Sequence, residues 1–199
     1  MGIYTTVSTD AFSALQLDAG VLLSTFDPAT PYTAPSSSNI IATTTGGINI
    51  VCEPTYSDFG EDVDNVPNNM KEFKHLDGWN CTMGFSSIKF NGANTVWSLG
   101  AATKTTTAAG QSTAGYDKIV PNRNLAQADF KDIWWVGDKA DGGAYAVKLC
   151  NALSTGGLNI QTSKNGKGTN QITLTGHVSI NSQNTMPMEI YDIAPQSST

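Results

Sequence analysis

Residues 171–180, QITLTGHVSI, alternate polar and apolar side chains without interruption. Successive side chains of a strand face opposite sides of its sheet, so this pattern predicts a strand with one buried and one wetted face. Ile172, Leu174, Gly176, Val178 and Ile180 form the buried set; Gln171, Thr173, Thr175, His177 and Ser179 form the wetted one. Upstream, Leu158, Ile160 and Thr162 alternate with Asn159 and Gln161, and SKNGKGTN joins the two runs. Asn165-Gly166 tolerates positive φ, so the runs are predicted to pair as an antiparallel hairpin. The wetted face is neutral and carries no catalytic grouping, which suits a surface that is hydrated or pairs with another chain.

Other segments extend the all-β pattern. LDAGVLLSTF (17–26) reads as a buried strand, followed by an extended loop over 27–45 with breakers at Pro28, Pro31 and Pro35. Gly46 to Tyr56 reads as a strand with Ile48, Ile50 and Cys52 on one face. An acidic loop over 57–70 follows, then a return strand from Lys71 to Phe90. In that strand Trp79, Cys81, Met83 and Phe85 share a face while Ile88 and Phe90 have the opposite parity, which predicts a bulge at Ser86-Ser87. Asn94–Leu99, capped by Gly100, is the single predicted helix, burying Val96, Trp97 and Leu99. Residues 101–117 read as a second extended loop. DIWWV (132–136), Ala144–Leu149 and Pro187–Ile193 complete the strands, between an N-terminal arm (1–16) and a C-terminal tail (194–199). The expectation is one domain spanning 1–199: mainly β, an open antiparallel sandwich with one short α-helix. Its 199 residues suffice for a sizeable core.

Composition narrows the function. No run approaches the ~20 apolar residues that span a bilayer. MGIYTTVSTD lacks a signal peptide's basic and apolar regions and only partly matches a myristoylation start. Cys52, Cys81 and Cys150 are odd in number and lack C-x-x-C spacing. That pattern predicts neither a disulfide framework nor a zinc site, but free thiols in a reducing cytoplasm, with Cys81 as a small core residue. Asp10, Asp18, Asp27, Glu53, Asp58, Glu61, Asp62 and Asp64 all precede the first basic residue, Lys71. Residues 1–70 therefore carry −8, and the remainder, with eleven basic and nine acidic residues, +2. A phosphate-tracking basic patch is not in evidence.

Candidate chemistry falls away on inspection. Asp58, Glu61, Asp62 and Asp64 invite calcium, but from Asp62 the EF-hand glycine position holds Pro67 and the twelfth holds Phe73. Gly166-Lys167-Gly168-Thr169 lacks the upstream glycine of a phosphate loop. His75 and His177 have no triad partners and read as surface residues; no G-x-S-x-G occurs. No enzyme, catalytic residue, metal or cofactor is predicted. The hairpin strands from Leu158 to Ile180 carry charge only at Lys164 and Lys167. An edge so little guarded predicts sheet extension between subunits through Asn159, Gln161, Gln171, Thr173 and Thr175.

Five strings carry a resemblance: GVLLSTFDP (20–28), TTGGINIVCEPTYSDFGEDVDNVPNNMKEFKHLDGW (44–79), DFKDIWWVGD (129–138), LCNALSTGGLNIQTSKNGKG (149–168) and TGHVSINSQNTMPMEIY (175–191). The chain resembles the major tail (tube) proteins of tailed bacteriophages and prophages of Gram-positive bacteria. The resemblance implies a mainly β, antiparallel β-sandwich or barrel with one short α-helix and long inter-subunit loops, assembled as hexameric rings that stack into a tube for DNA delivery. It also implies that a segment from about Ile50 to Trp79, with the acidic loop Asp58, Glu61, Asp62 and Asp64, reaches the neighbouring ring. Implied partners are other copies of the chain, a tape measure protein, tail terminator and baseplate proteins, and double-stranded DNA in transit without specific binding. The implied location is the virion tail, after assembly in the host cytoplasm. The inner tube of a phage-tail-like bacteriocin or contractile system shares this pattern. An alternative of another class is a secreted carbohydrate- or ligand-binding sandwich module.

Overall fold

The computed structural model describes residues 7–8 and 11–196. Gly2 and Asp10 lie outside the described residues, as do most of the N-terminal arm and the end of the C-terminal tail. Among the described residues the chain is mainly β, with antiparallel pairing throughout and one α-helix. In chain order the elements are β1 (Gln16–Leu23), β2 (Ile40–Ala42), β3 (Thr44–Asp58), β4 (Lys74–Ser87), α1 (Gly92–Leu99), β5 (Ala102–Thr107), β6 (Tyr116–Pro121), β7 (Lys131–Lys139), β8 (Ala144–Ser154), β9 (Asn159–Gln161), β10 (Thr169–Thr175) and β11 (Met188–Ile193).

Strand β8 ties two layers together. Along Ala144–Leu149 it pairs with β7 on one side and β11 on the other, and β7 continues to β1 and β2. Its far end, Leu153 and Ser154, pairs instead with Thr175 and Leu174 of β10, which leads to β4 and then β3. Between the layers lie Leu22, Ile41, Cys81, Met83, Phe85, Ile133, Leu149, Ile172 and Leu174, all buried. A second apolar cluster, Leu23, Trp134 and Ala146 with Phe26 and Tyr191, covers the opposite face of the first layer. Trp134 and Trp135 thus face opposite sides, as adjacent strand residues must.

The opening alternation holds for β10 and then stops. Asn170, Ile172 and Leu174 are buried while Gln171 and Thr173 are exposed. After Thr175 the chain turns away: Gly176 N–H donates to the Cys81 carbonyl (2.9 Å) and His177 N–H to the Cys150 carbonyl (3.0 Å). Val178 and Ile180 are consequently exposed, not core. The hairpin is antiparallel, with Asn165 at φ 59°, although the connection runs from 162 to 168 and its paired segment is short.

Three further expectations are corrected. The bulge lies on the partner strand: Gly46 and Gly47, at φ 78° and 82°, shift the β3 register opposite Phe85 and Ser86, a conformation glycine adopts without Cβ strain. β4 alternates regularly from Cys81 to Ser87, where it ends. Residues 101–117 are no extended loop: Ala102–Thr107 pairs in full register with Tyr116–Pro121, since a Thr-rich run suits a strand as well as a loop. The helix begins earlier, capped by Asn91, whose side chain accepts from Asn94 N–H (2.8 Å), and Gly100 N–H closes it on Val96 O (3.0 Å).

Of the helix residues expected to be buried, Val96, Trp97 and Leu99 are half-buried, with Trp97 packed against the core cluster, while the most deeply buried face is polar. Asn94 and Ser98 are its buried residues. The Asn94 amide donates to Ser87 Oγ (3.1 Å) and Lys89 O (2.8 Å), and the Asn170 amide donates to Ser98 Oγ (2.6 Å). Ser154 Oγ donates to the Ser98 carbonyl. Buried polar groups persist where they are bonded, and this network docks α1 on β4, β8 and β10.

Candidate assembly surface

Strands β3 and β4 are far longer than the core needs. Up to Cys81 the inner side chains of β4 are buried and Ile48 and Ile50 of β3 are half-buried against them; beyond Cys52 and Cys81 almost every residue on both strands is exposed. A two-stranded ribbon with both faces wet is marginally stable on its own. Residues 53–80 therefore form an arm that leaves the sandwich. Cys52 and Cys81 are register partners at its root and form a disulfide, with Cα atoms 4.1 Å apart. The free-thiol expectation is corrected for this pair. Cysteine spacing along a chain says nothing about which residues two long antiparallel strands place opposite one another. Cys150 remains free and buried, and burial pushes its thiol up to about 11.

The arm's two faces differ. On the side continuing from Cys52 and Cys81, Pro54 lies opposite Trp79 and Tyr56 opposite Leu76. Tyr56 is 58%, Leu76 43% and Trp79 39% exposed, so this is an uncovered apolar stripe. Sequence alternation in two long strands was the available signal, but single-strand reading does not reveal that Tyr56 and Leu76 come together. A register shift between Thr55 and Tyr56 leaves Asp77 unpaired in the ladder, where it accepts from Ser57 Oγ (2.6 Å).

The acidic loop forms the arm's tip and is built by short-range bonds. Asp58 accepts from Gly60 N–H (3.0 Å) and pairs with Lys74 (2.9 Å). The Lys74 ammonium, with Gly60 N–H, holds the Asp58 carboxyl below its usual range. Phe59 N–H donates to Phe73 O (3.0 Å), and the Phe59 and His75 rings lie 5.8 Å apart. Glu61, Asp62 and Asp64 are exposed on this tip beside Phe59 and Val63. Among the described residues no three His, Cys, Asp or Glu side chains gather as a metal requires. The early acidic residues thus collect here: Glu53, Asp58, Glu61, Asp62 and Asp64 lie on the arm. Asp27 instead holds a turn by accepting from Ala29 N–H (2.9 Å), and Asp18 lies in β1.

The expected pairing edge needs correction. β10 is an inner strand: β4 borders it on one side, β9 and the end of β8 on the other. The Thr173 carbonyl already accepts from Thr155 N–H (3.0 Å), and Thr175 Oγ1 lies 2.9 Å from Thr155 Oγ1. Gln171, Thr173 and Thr175 therefore offer no free ladder. Asn159 and Gln161 do lie on an edge, the short β9, where the Asn159 amide donates to Gln171 Oε1 (3.2 Å). Among the described residues the long unpaired edge in this layer is β3. Strand order, which alternation along one segment does not encode, made the difference.

A groove elsewhere in the fold holds no reactive constellation. Lys131 and Lys148 lie over the indoles of Trp97 and Trp134, each 5.6 Å from the ring centroid, and Lys148 pairs with Asp132 (3.0 Å). His177 is packed rather than free at the surface, with its ring 5.2 Å from Phe130 and Nδ1 3.2 Å from Asn151 O.

Among known proteins, no family model matches this chain, and no curated protein matches it. Among solved structures it is similar to a chain of the virion of a native gene transfer agent particle. The two are 9% identical, with a TM-score of 0.37, over 81% of this chain and 92% of the other. A likeness that slight does not carry a function.

Proposed function

We propose that this chain is a structural virion protein that polymerises, as stacked and hexameric rings, into the tail tube of a bacteriophage. The observation that supports this reading is the arm over residues 53–80: an exposed ribbon with an uncovered Tyr56–Leu76–Trp79 stripe and an acidic tip. Isolated ribbons gain stability when something covers them, and contiguous exposed apolar surface marks an interaction site. The free edge of β3 offers backbone N–H and C=O groups for sheet extension to a neighbour. The resemblance of residues 44–79 to tail tube proteins supplies the identity of that neighbour, another copy of the chain. A ring interface that closes and a second interface along the axis together give a tube. With the chain at −6 overall, such a wall repels a passing duplex instead of binding it. The tape measure, terminator and baseplate contacts follow from the same reading.

Negative-stain electron microscopy of the purified protein tests it. Rings or hollow tubes are expected as concentration rises. Particles that stay single chains at every concentration and salt would overturn the reading, and saturable binding of a sugar by those monomers would favour a ligand-binding module.

A further inference from the structure

We propose that copies of this chain join head to tail, the acidic arm of one seating on the lysine-bearing opposite end of the same sheet in the next. This rests on the assembly reading above and adds the partner surface. Strand β4 runs from Lys74 on the arm to Ser87, about 45 Å away at strand rise. At that far end Ser87 pairs with Asn170, so the turn over 162–168 that leads into β10 lies there too. Gly168 packs against the Phe90 ring, which brings the segment after β4 and this turn into one surface.

The two ends are opposite in charge. Residues 53–80 hold Glu53, Asp58, Glu61, Asp62, Asp64, Glu72 and Asp77 against Lys71 and Lys74, a net −5. The far end presents Lys89, Lys164 and Lys167, all exposed and none in an ion pair among the described residues. Asp117, whose carboxylate lies beside Gly92, is already engaged by Lys104 (3.3 Å) and Thr106 (2.6 Å). Each end also offers apolar surface: Phe59 and Val63 on the acidic tip, and Phe90, 51% exposed, among the lysines. Like charge disfavours contact between two acidic arms and opposite charge favours arm against far end, which makes the contact heterologous and repeating in one direction. Steering by opposite charge sets which ends meet, and apolar burial holds them together.

Charge reversal on exposed positions tests this without disturbing the core. Glu61→Lys/Asp62→Lys/Asp64→Lys reverses the arm, and Lys89→Glu/Lys164→Glu/Lys167→Glu reverses the far end. Thermal unfolding unchanged from wild type establishes that each set folds. At low salt, sedimentation should show that either set alone raises the concentration needed for assembly at least tenfold. All six changes in one chain should restore assembly, and so should mixing the two triple variants, because both pairings are then again opposite in sign. The difference should shrink at 0.5 M salt, where the Debye length is only about 4 Å. Wild-type tubes with triple variants that assemble equally well, or with no rescue by the combined set, overturn the pairing but leave the assembly reading intact. A wild-type protein that never assembles overturns both.

Discussion

At the residue scale, Cys150 and Ser98 show how side chains of modest polarity are held in this core. Cys150 is buried beside Lys148 and Glu189, and burial raises its thiol to about 11. A group whose folded value is raised binds its proton more tightly when folded, so its stabilisation is intact below the unfolded value, near 9, and is lost as pH climbs towards 11. Urea unfolding should therefore show a stability loss on the order of 2 kcal/mol between pH 9 and 11 that is absent in Cys150→Ala. An equal slope in both proteins would assign the loss to other groups. Thiol titration of the air-equilibrated, denatured, unreduced chain should find one reactive thiol, Cys150, because Cys52 and Cys81 are bonded to each other; three would contradict that pairing. Ser98→Ala removes the acceptor for the buried Asn170 amide and should cost about 1–3 kcal/mol, read by the shift in urea midpoint. A change below about 0.5 kcal/mol would mean the network does little to hold α1.

At the scale of elements, β10 and the arm behave differently although both were legible as strands. The alternation that buries Ile172 and Leu174 was visible because each residue's burial depends on the sheet's period alone. That β10 lies inside its sheet was not visible, because strand order is set by contacts distant in sequence. Leu174→Ala, fully buried, should cost about 2–5 kcal/mol in the isolated subunit. Proline at Thr173 should likewise damage the fold itself, not assembly alone, since this inner strand is bordered on both sides. The arm was legible as two strands and an acidic loop, but its emergence from the sandwich and the joining of its stripe depend on cross-strand register. Replacing residues 55–78 with a tight turn leaves the core cluster intact, so the variant should unfold cooperatively near the wild-type temperature yet fail to assemble. Loss of the cooperative transition would show that the arm is part of the core after all.

At the scale of the whole molecule, a sandwich with an apolar interior carries a charged, partly apolar ribbon at one end of its second sheet and lysines at the other. The antiparallel β class and the single helix could be read from periodicity and capping residues, and the acidic bias of residues 1–70 pointed to the segment that became the arm's tip. The disulfide, the buried polar helix face and the β5–β6 hairpin could not. Each depends on which residues a folded neighbour places nearby, and a Thr-rich or Asn/Ser-rich run is compatible with several such settings. The central claim is that subunits meet through the arm. Hydrogen exchange read by mass spectrometry, comparing assembled protein with dilute monomer, tests it most directly. Amides of residues 53–58 and 74–80 should exchange much more slowly in the assembly, while those of β7 and β8 stay equally protected in both states; arm amides that exchange at the same rate in both would contradict the account.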